Sequence, residues 1–362
     1  TVFYTLGADS AEGVYDNGFN KYIKWDLDLL DGYNCKFVEN TSKKPGTHHK
    51  AGIVNPSLFD ELLSFDPQAI LVYGWNYVSH LDILVRFKGK TPIWFRGDST
   101  LLDRGSKLKS ILKTVYLKWV YKHVDIAFYV GRNNKAYFLK YGLTENQLIF
   151  APHSIDNDRF ANIRQGEVIE LRNLLGIKPN DIVILFAGKF EDKKNPTILL
   201  DAFVEISKTN DFRNGQIHLL FVGNGSLKEE IELKAKTLKL KNFHILDFQN
   251  QTQMPAIYQL CDIFCLPSQG PGETWGLAVN EAMAAGKPII TSNKVGCAVD
   301  LIKEGENGAI FESNNLKDLV ENLQFLINNP DVIKNYGERS KEIIASWDFN
   351  NQVNKILAKL YE

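Results

Sequence analysis

Between residues 181 and 312 short apolar runs rich in β-branched residues alternate with amphipathic segments, and that alternation leaves few folds open. The runs are IVILFAG (182–188), IHLLFVG (217–223), FHILDF (243–248), DIFCLPS (262–268), KPIITS (287–292) and GAIF (308–311). Between them NPTILLDAFVEISK (195–208), SLKEEIELKAKTL (226–238) and LAVNEAMAAG (277–286) carry apolar residues at helical spacing. Strands that are apolar on both faces need helices on both faces, so this half is expected to form one doubly wound parallel sheet. Ligands of such sheets bind beyond the carboxyl ends of the strands, which directs attention to the loops at those ends.

The first half repeats the theme with QAILVYG (68–74), TPIWF (91–95) and VDIAFYVG (124–131), which predicts a second α/β domain. The segment IFAPHSIDNDRF (149–160) has the look of a crossing, placing the domains at 1–155 and 156–340 with a terminal helical stretch at 341–362. A length of 362 residues suits two cores. With 42 basic against 43 acidic residues there is no global field to hold a nucleic acid, so an anion site must be local. Four cysteines without knuckle spacing favour a reducing, cytoplasmic setting over a disulfide framework. No apolar stretch reaches membrane-spanning length, and the first residues do not have the pattern of a signal peptide.

Chemistry concentrates in three strand-end loops. In SQGPGETWGLAVNEAMAAGKPIITS (268–292) the glycines Gly270, Gly272 and Gly276 lead into a helix, with Glu273 in the loop and Glu281 in the helix. Glycines allow close backbone approach to a ligand, and a helix start offers unpaired N–H groups, a combination suited to phosphate. In LFAGKFEDKKNP (185–196) Gly188 is followed by Lys189, Lys193 and Lys194, of which Lys189 and Lys194 are the better placed for a diphosphate. FVGNGSLKEE (221–230) adds Gly223 and Gly225. Singly, each loop is also explained as an ordinary turn or a solvated basic loop; together they point to a phosphate-bearing ligand.

The pieces AGKFEDKKNP, FVGNGSLKEE, DFQNQTQMPAIYQLCDIFCLPS and GETWGLAVNEAMAAGKPIITS, in this order, resemble the C-terminal half of retaining family-4-like glycosyltransferases. YDNGFNKYIKWDLDLLDGYNCKFV (15–38), FRGDST (95–100) and VGRNNKAYFLKYGL (130–143) look like a bacterial branch of that family. The resemblance implies the GT-B fold, two Rossmann-like doubly wound domains facing a cleft, with the last helix crossing back to the first domain. It implies transfer of a sugar from a UDP- or GDP-sugar to a glycan, lipid-linked or small-molecule acceptor without a metal or other cofactor. Carried over by position, Glu273 contacts the sugar hydroxyls, Glu281 grips the ribose, and Lys189 and Lys194 hold the diphosphate at Gly188. Gly272 belongs to the same loop, Thr274, Trp275, Gly276 and Leu277 present amides, and the base rests near Phe248 and Gln249. Lys189 stands where the family most often has arginine, exchanging a bidentate fork for a point charge. Arg96 and Asp98 are candidates for sugar or acceptor contacts, or else a structural ion pair.

Members of that family usually open with a strand and helix before a strand like TVFY (1–4), so the resemblance also implies a missing first strand and helix. A nucleotide-sugar binding module without turnover is therefore one alternative, and a nucleotide-sugar epimerase is a further one. Asp26 and Asp28 form an Asp-x-Asp pattern without a preceding strand, and His48 and His49 sit in a polar loop; both are expected to be solvated surface features. Residues 105–125 carry five lysines and no acid before Asp125, with Leu108, Ile111, Leu112, Val115, Trp119 and Val120 at helical spacing. That stripe suits either an anionic membrane surface or the first domain's own sheet, and packing on the sheet is the expectation.

Overall fold

The computed structural model describes residues 1–8, 12–103, 107–209 and 216–361, without the side chains of 107–109 and 209. Cα packing divides the chain into one unit of residues 1–15, 22–152 and 352–362 and a second of residues 16–21 and 153–351. The strands are β1 (Val2–Tyr4), β2 (Val14–Asp16), β3 (Lys21–Ile23), β4 (Cys35–Phe37), β5 (Ile70–Tyr73), β6 (Ile93–Arg96) and β7 (Ile126–Tyr129). They continue as β8 (Leu148–Phe150), β9 (Ile182–Ala187), β10 (Ile217–Val222), β11 (Phe243–Leu246), β12 (Ile263–Leu266), β13 (Ile289–Ser292) and β14 (Gly308–Phe311).

In the first unit β5-β6-β7-β8 form a parallel sheet in chain order, and β1 pairs with β4 separately. Ile93 and Phe95 of β6 and Ala127 of β7 face helices that supply Leu84, Phe87, Leu117, Val120 and Phe138, all buried. Trp94, Phe128 and Ala151 form a smaller cluster on the sheet's other face, covered by Ile356 and Leu360 of the last helix, Phe349–Tyr361. Alternate residues of one strand therefore serve two cores.

The second unit carries the sheet expected from the alternation. Its order is β11-β10-β9-β12-β13-β14, all parallel, so the chain starts in the middle, builds outward one way and then returns to build the other way. All residues of β9, β10, β12 and β13 are buried, which explains why these strands are continuous apolar runs rather than alternating ones. The reversal falls between β9 and β12, and crevices for ligands open at such switch points. Among the described residues no helix is long and apolar enough to cross a membrane.

Candidate functional site

The loops leaving β9 and β12 flank this reversal, and together they carry Lys189, Lys194 and Glu273. Three hydrogen bonds tie them. The Lys193 carbonyl accepts the amides of Gln269 at 2.9 Å and Gly270 at 3.3 Å, and Gln269 Nε2 donates to the Asp192 carbonyl at 2.6 Å. The β10 loop lies against them: a Cβ on Gly223, whose φ is +143°, would stand 2.0 Å from the Gly188 carbonyl oxygen. Only glycine permits that approach.

Within this frame the Lys194 ammonium pairs directly with the Glu273 carboxylate, which also accepts the Ser268 hydroxyl at 2.9 Å. Glu273 and Ser268 are buried. A charged pair withdrawn from water needs every remaining lone pair satisfied, and Ser268 supplies part of that. Lys189 has a different partner. Its Nζ lies 2.7 and 2.9 Å from the two oxygens of Asp16, while Asp16 Oδ1 also accepts the amides of Gly18 at 2.8 Å and Phe19 at 3.0 Å. Burial raises the Asp16 pKa, but the Lys189 bond, the Phe19 amide and the Lys189 charge together outweigh it and hold the carboxyl below its usual value. Lys193 turns to Glu191, 3.2 Å away.

The helix Leu277–Ala284 begins at Gly276, whose φ of +99° and lack of a side chain fit it between Val295 and Leu266. Its second turn carries Glu281, which accepts the Tyr258 hydroxyl at 2.6 Å. Desolvation pushes the Glu281 pKa up to about 7, against the lowering effects of that hydroxyl and of the Arg159 charge. Arg159 is held by Gln251 through its carbonyl and side-chain oxygen, the latter at 2.8 Å. Trp275 is buried and donates to Asn280 Oδ1 at 2.9 Å, while Asn280 Nδ2 donates to the His153 carbonyl at 2.9 Å. The Trp275 carbonyl accepts the Cys297 amide at 2.9 Å, and a Cβ on Gly296 would collide with the Thr274 carbonyl at 1.7 Å. Thr274 to Leu277 are thus pinned from behind by residues 295–297, a rigid backing for a loop expected to present amides. Gly272 has a φ of +92°, and a Cβ built on it would meet open space.

At the end of β11, Phe248 stacks edge-on with Phe19 at 4.9 Å, and Gln249 Nε2 donates to the Asp247 carbonyl at 3.0 Å. The expected residues are therefore not one cluster of mutual contacts: Lys194 and Glu273 meet, Lys189 engages Asp16, and Glu281 engages Tyr258. Asp16, Ser268, Tyr258 and Arg159 are not among the candidate residues that the sequence singles out. Ser268, the polar residue just past β12, carried a local signal; the others are brought in by the fold alone.

In the first unit Arg96, buried at the end of β6, donates to the carbonyls of Ala151 at 3.0 Å and Pro152 at 2.8 Å. Burial lowers its pKa, and the charges of Tyr73 and Asp98 work the other way. Two of its donors are thus committed to the main chain. Asp28 Oδ1 caps a turn through the Leu30 amide at 3.2 Å, as a surface carboxylate would. Among the described residues no three His, Cys, Asp or Glu side chains group as metal ligands.

The family description "Glycosyl transferases group 1" matches residues 168–343. An uncharacterized glycosyltransferase of Methanocaldococcus jannaschii is 28% identical over 231 residues, 62% of this chain and 62% of that protein. An uncharacterized glycosyltransferase of Haemophilus influenzae is 34% identical over 55% of this chain and 54% of its own length. The chain thus spans about half to three-fifths of the length of these two relatives. Among solved structures, Anabaena HepE in complex with UDP superposes with a TM-score of 0.71 at 17% identity, covering 90% of this chain and 86% of HepE. At that identity the likeness shows the fold, which is that of the GT-B glycosyltransferases.

Proposed function

We propose, from the match of residues 168–343 to the glycosyl transferases group 1 family, that the chain moves a sugar, with retention, from a nucleoside-diphosphate donor to a hydroxyl of a glycan, lipid-linked or small-molecule acceptor. The observation that carries this reading is the Lys194–Glu273 pair with Ser268, set on the two loops that flank the β9/β12 reversal. A cation and a carboxylate side by side suit the junction of a sugar diphosphate, where an anion adjoins a row of hydroxyls.

Transfer breaks the bond from the anomeric carbon to a phosphate oxygen, and the electron pair stays on that oxygen. A bond forms from the acceptor hydroxyl oxygen to the same carbon, and the hydroxyl proton passes to the departing phosphate. The transition state gathers negative charge on the diphosphate, so catalysis lies in whatever stabilises that charge more than the ground state. A preorganised donor there is worth about 2.7–4 kcal/mol, against roughly 0.3–1 kcal/mol for an exposed helix dipole. In this reading Lys194 holds the leaving diphosphate, and Lys189 joins it by exchanging Asp16 for phosphate. Two ammonium groups give the charge compensation that a divalent metal would otherwise provide, so the reading calls for no cofactor.

Glu273, held by Lys194 and Ser268, accepts sugar hydroxyls, and Glu281 accepts those of the ribose. In this reading the base rests near Phe248 and Gln249. Since HepE was solved with UDP, UDP-sugars are the first donors to test, followed by GDP-sugars. The test is incubation with a donor panel and candidate acceptors, reading released nucleotide and new glycoside. Binding without release would make the chain a nucleotide-sugar binding module, and a rearranged donor would make it an epimerase; either outcome would overturn the reading.

A further inference from the structure

The helix Lys107–Tyr121 of the first unit has two apolar faces, and only one of them is used. Leu117, Val120 and Tyr121 are fully buried in the unit's core. Ile111, Leu112, Val115 and Trp119 are 61, 65, 66 and 44% exposed. At about 100° per residue these four span an arc of roughly 100° whose centre lies opposite the buried face. The expectation that the stripe packs on the sheet is thus met by Val120 alone among its described members and fails for the other four. Leu108, its first member, lies outside the residues whose side chains are described.

The same turns place Lys122 inside the exposed arc and Lys118 at its edge, and the whole segment 105–124 contains no acidic residue. Lys113 is turned the other way, over the rings of Tyr137 at 5.3 Å and Tyr141 at 5.8 Å. An apolar strip set among lysines, with a tryptophan at one end, is the pattern of a helix lying in a lipid interface with its ammonium groups reaching toward headgroups.

We propose that this face docks the protein on an anionic membrane surface, with Ile111, Leu112, Val115 and Trp119 entering the acyl boundary and Lys118 and Lys122 facing anionic headgroups. The occupant is a membrane rather than an acidic protein groove because the exposed strip of Ile111, Leu112, Val115 and Trp119 is continuous over more than two turns, while the two lysines on that face, Lys118 and Lys122, sit together beside Trp119 at its C-terminal end, where they reach headgroups rather than span a groove. The proposal goes beyond the transfer reaction and does not depend on it.

The test is co-sedimentation of the full chain with vesicles of phosphatidylcholine alone or with phosphatidylglycerol added. Wild type is expected to partition at least about tenfold more strongly onto the anionic vesicles, with high salt weakening the binding. The triple variant I111S/L112S/V115S and the pair K118E/K122E should each lose about tenfold. These side chains are exposed, so folding should be retained, and unchanged urea midpoints of the variants would confirm it. Equal partition onto both vesicles, or unaltered partition of the triple variant, would overturn the proposal. So would a wild type that stays in the supernatant and forms a dimer, in sedimentation velocity, that the triple variant cannot.

Discussion

Replacing Glu281 by glutamine should stabilise the protein at alkaline pH while weakening its hold on nucleotide. Glutamine keeps the shape and an oxygen to accept the Tyr258 hydroxyl, now 2.6 Å from the carboxylate, but removes the charge. The folded pKa of Glu281 is about 7, raised by desolvation from 4.5. A carboxyl raised in the folded state binds its proton more tightly there than in the unfolded chain. Its stabilising contribution is full below 4.5 and is lost as pH rises through about 7. At about 1.4 kcal/mol per tenfold change in proton affinity, the charge costs the folded state on the order of 3 kcal/mol above pH 8. Wild type and E281Q should therefore have similar urea midpoints near pH 4.5, with E281Q ahead by up to that amount at pH 8.5. UDP binding by calorimetry should fall about tenfold in E281Q, the loss expected for one charged hydrogen bond. Wild-type affinity should rise with pH through about 7 as the carboxylate that grips ribose forms. A stability gap that does not change with pH, joined to unaltered UDP affinity, would refute both the desolvation and the ribose assignment.

Three further outcomes are expected. K194M should cut turnover by at least about a hundredfold. It should also lower stability by about 3–5 kcal/mol, because Glu273 is left buried without its cation, and K194M/E273Q should recover that stability in denaturation curves; intact turnover in K194M would make the lysine structural. D16N should tighten UDP binding up to about fivefold in calorimetry, since a partly exposed pair is worth about 0–1 kcal/mol and its loss frees Lys189; weaker binding would contradict the exchange of partners. G276A places a Cβ 2.9 Å from Val295 at a φ of +99°, so it should cost about 1–3 kcal/mol in urea unfolding, and a neutral result would show that the loop before the helix is not held as described.

The second-unit strands were legible because burial on both faces writes an uninterrupted β-branched run into the chain, as IVILFA and IHLLFV do. Their spatial order was not, since which strand sits beside β9 is decided by crossovers that leave no local trace. The edge strand β8 was not legible, because its three half-buried residues, Leu148–Phe150, are too few to show a period. The glycine loop, Lys194 and Glu273 stood out because glycines and lysines at strand ends have local meaning. Asp16 did not, because it reaches Lys189 from 173 positions away, and neither did Tyr258, an aromatic residue in an apolar helix whose hydroxyl happens to meet Glu281. The helix Lys107–Tyr121 shows the limit from the other side: its periodicity was visible, but which of two apolar faces met the core depended on the sheet beneath it.

The most direct measurement is a crystal structure of the protein with UDP bound. The account predicts the diphosphate within hydrogen-bonding reach of Lys194 Nζ and of Lys189 Nζ, the latter released from Asp16, with the ribose hydroxyls on Glu281. UDP bound elsewhere, or bound with Lys189 still on Asp16 and Glu281 still turned only to Tyr258, would contradict it.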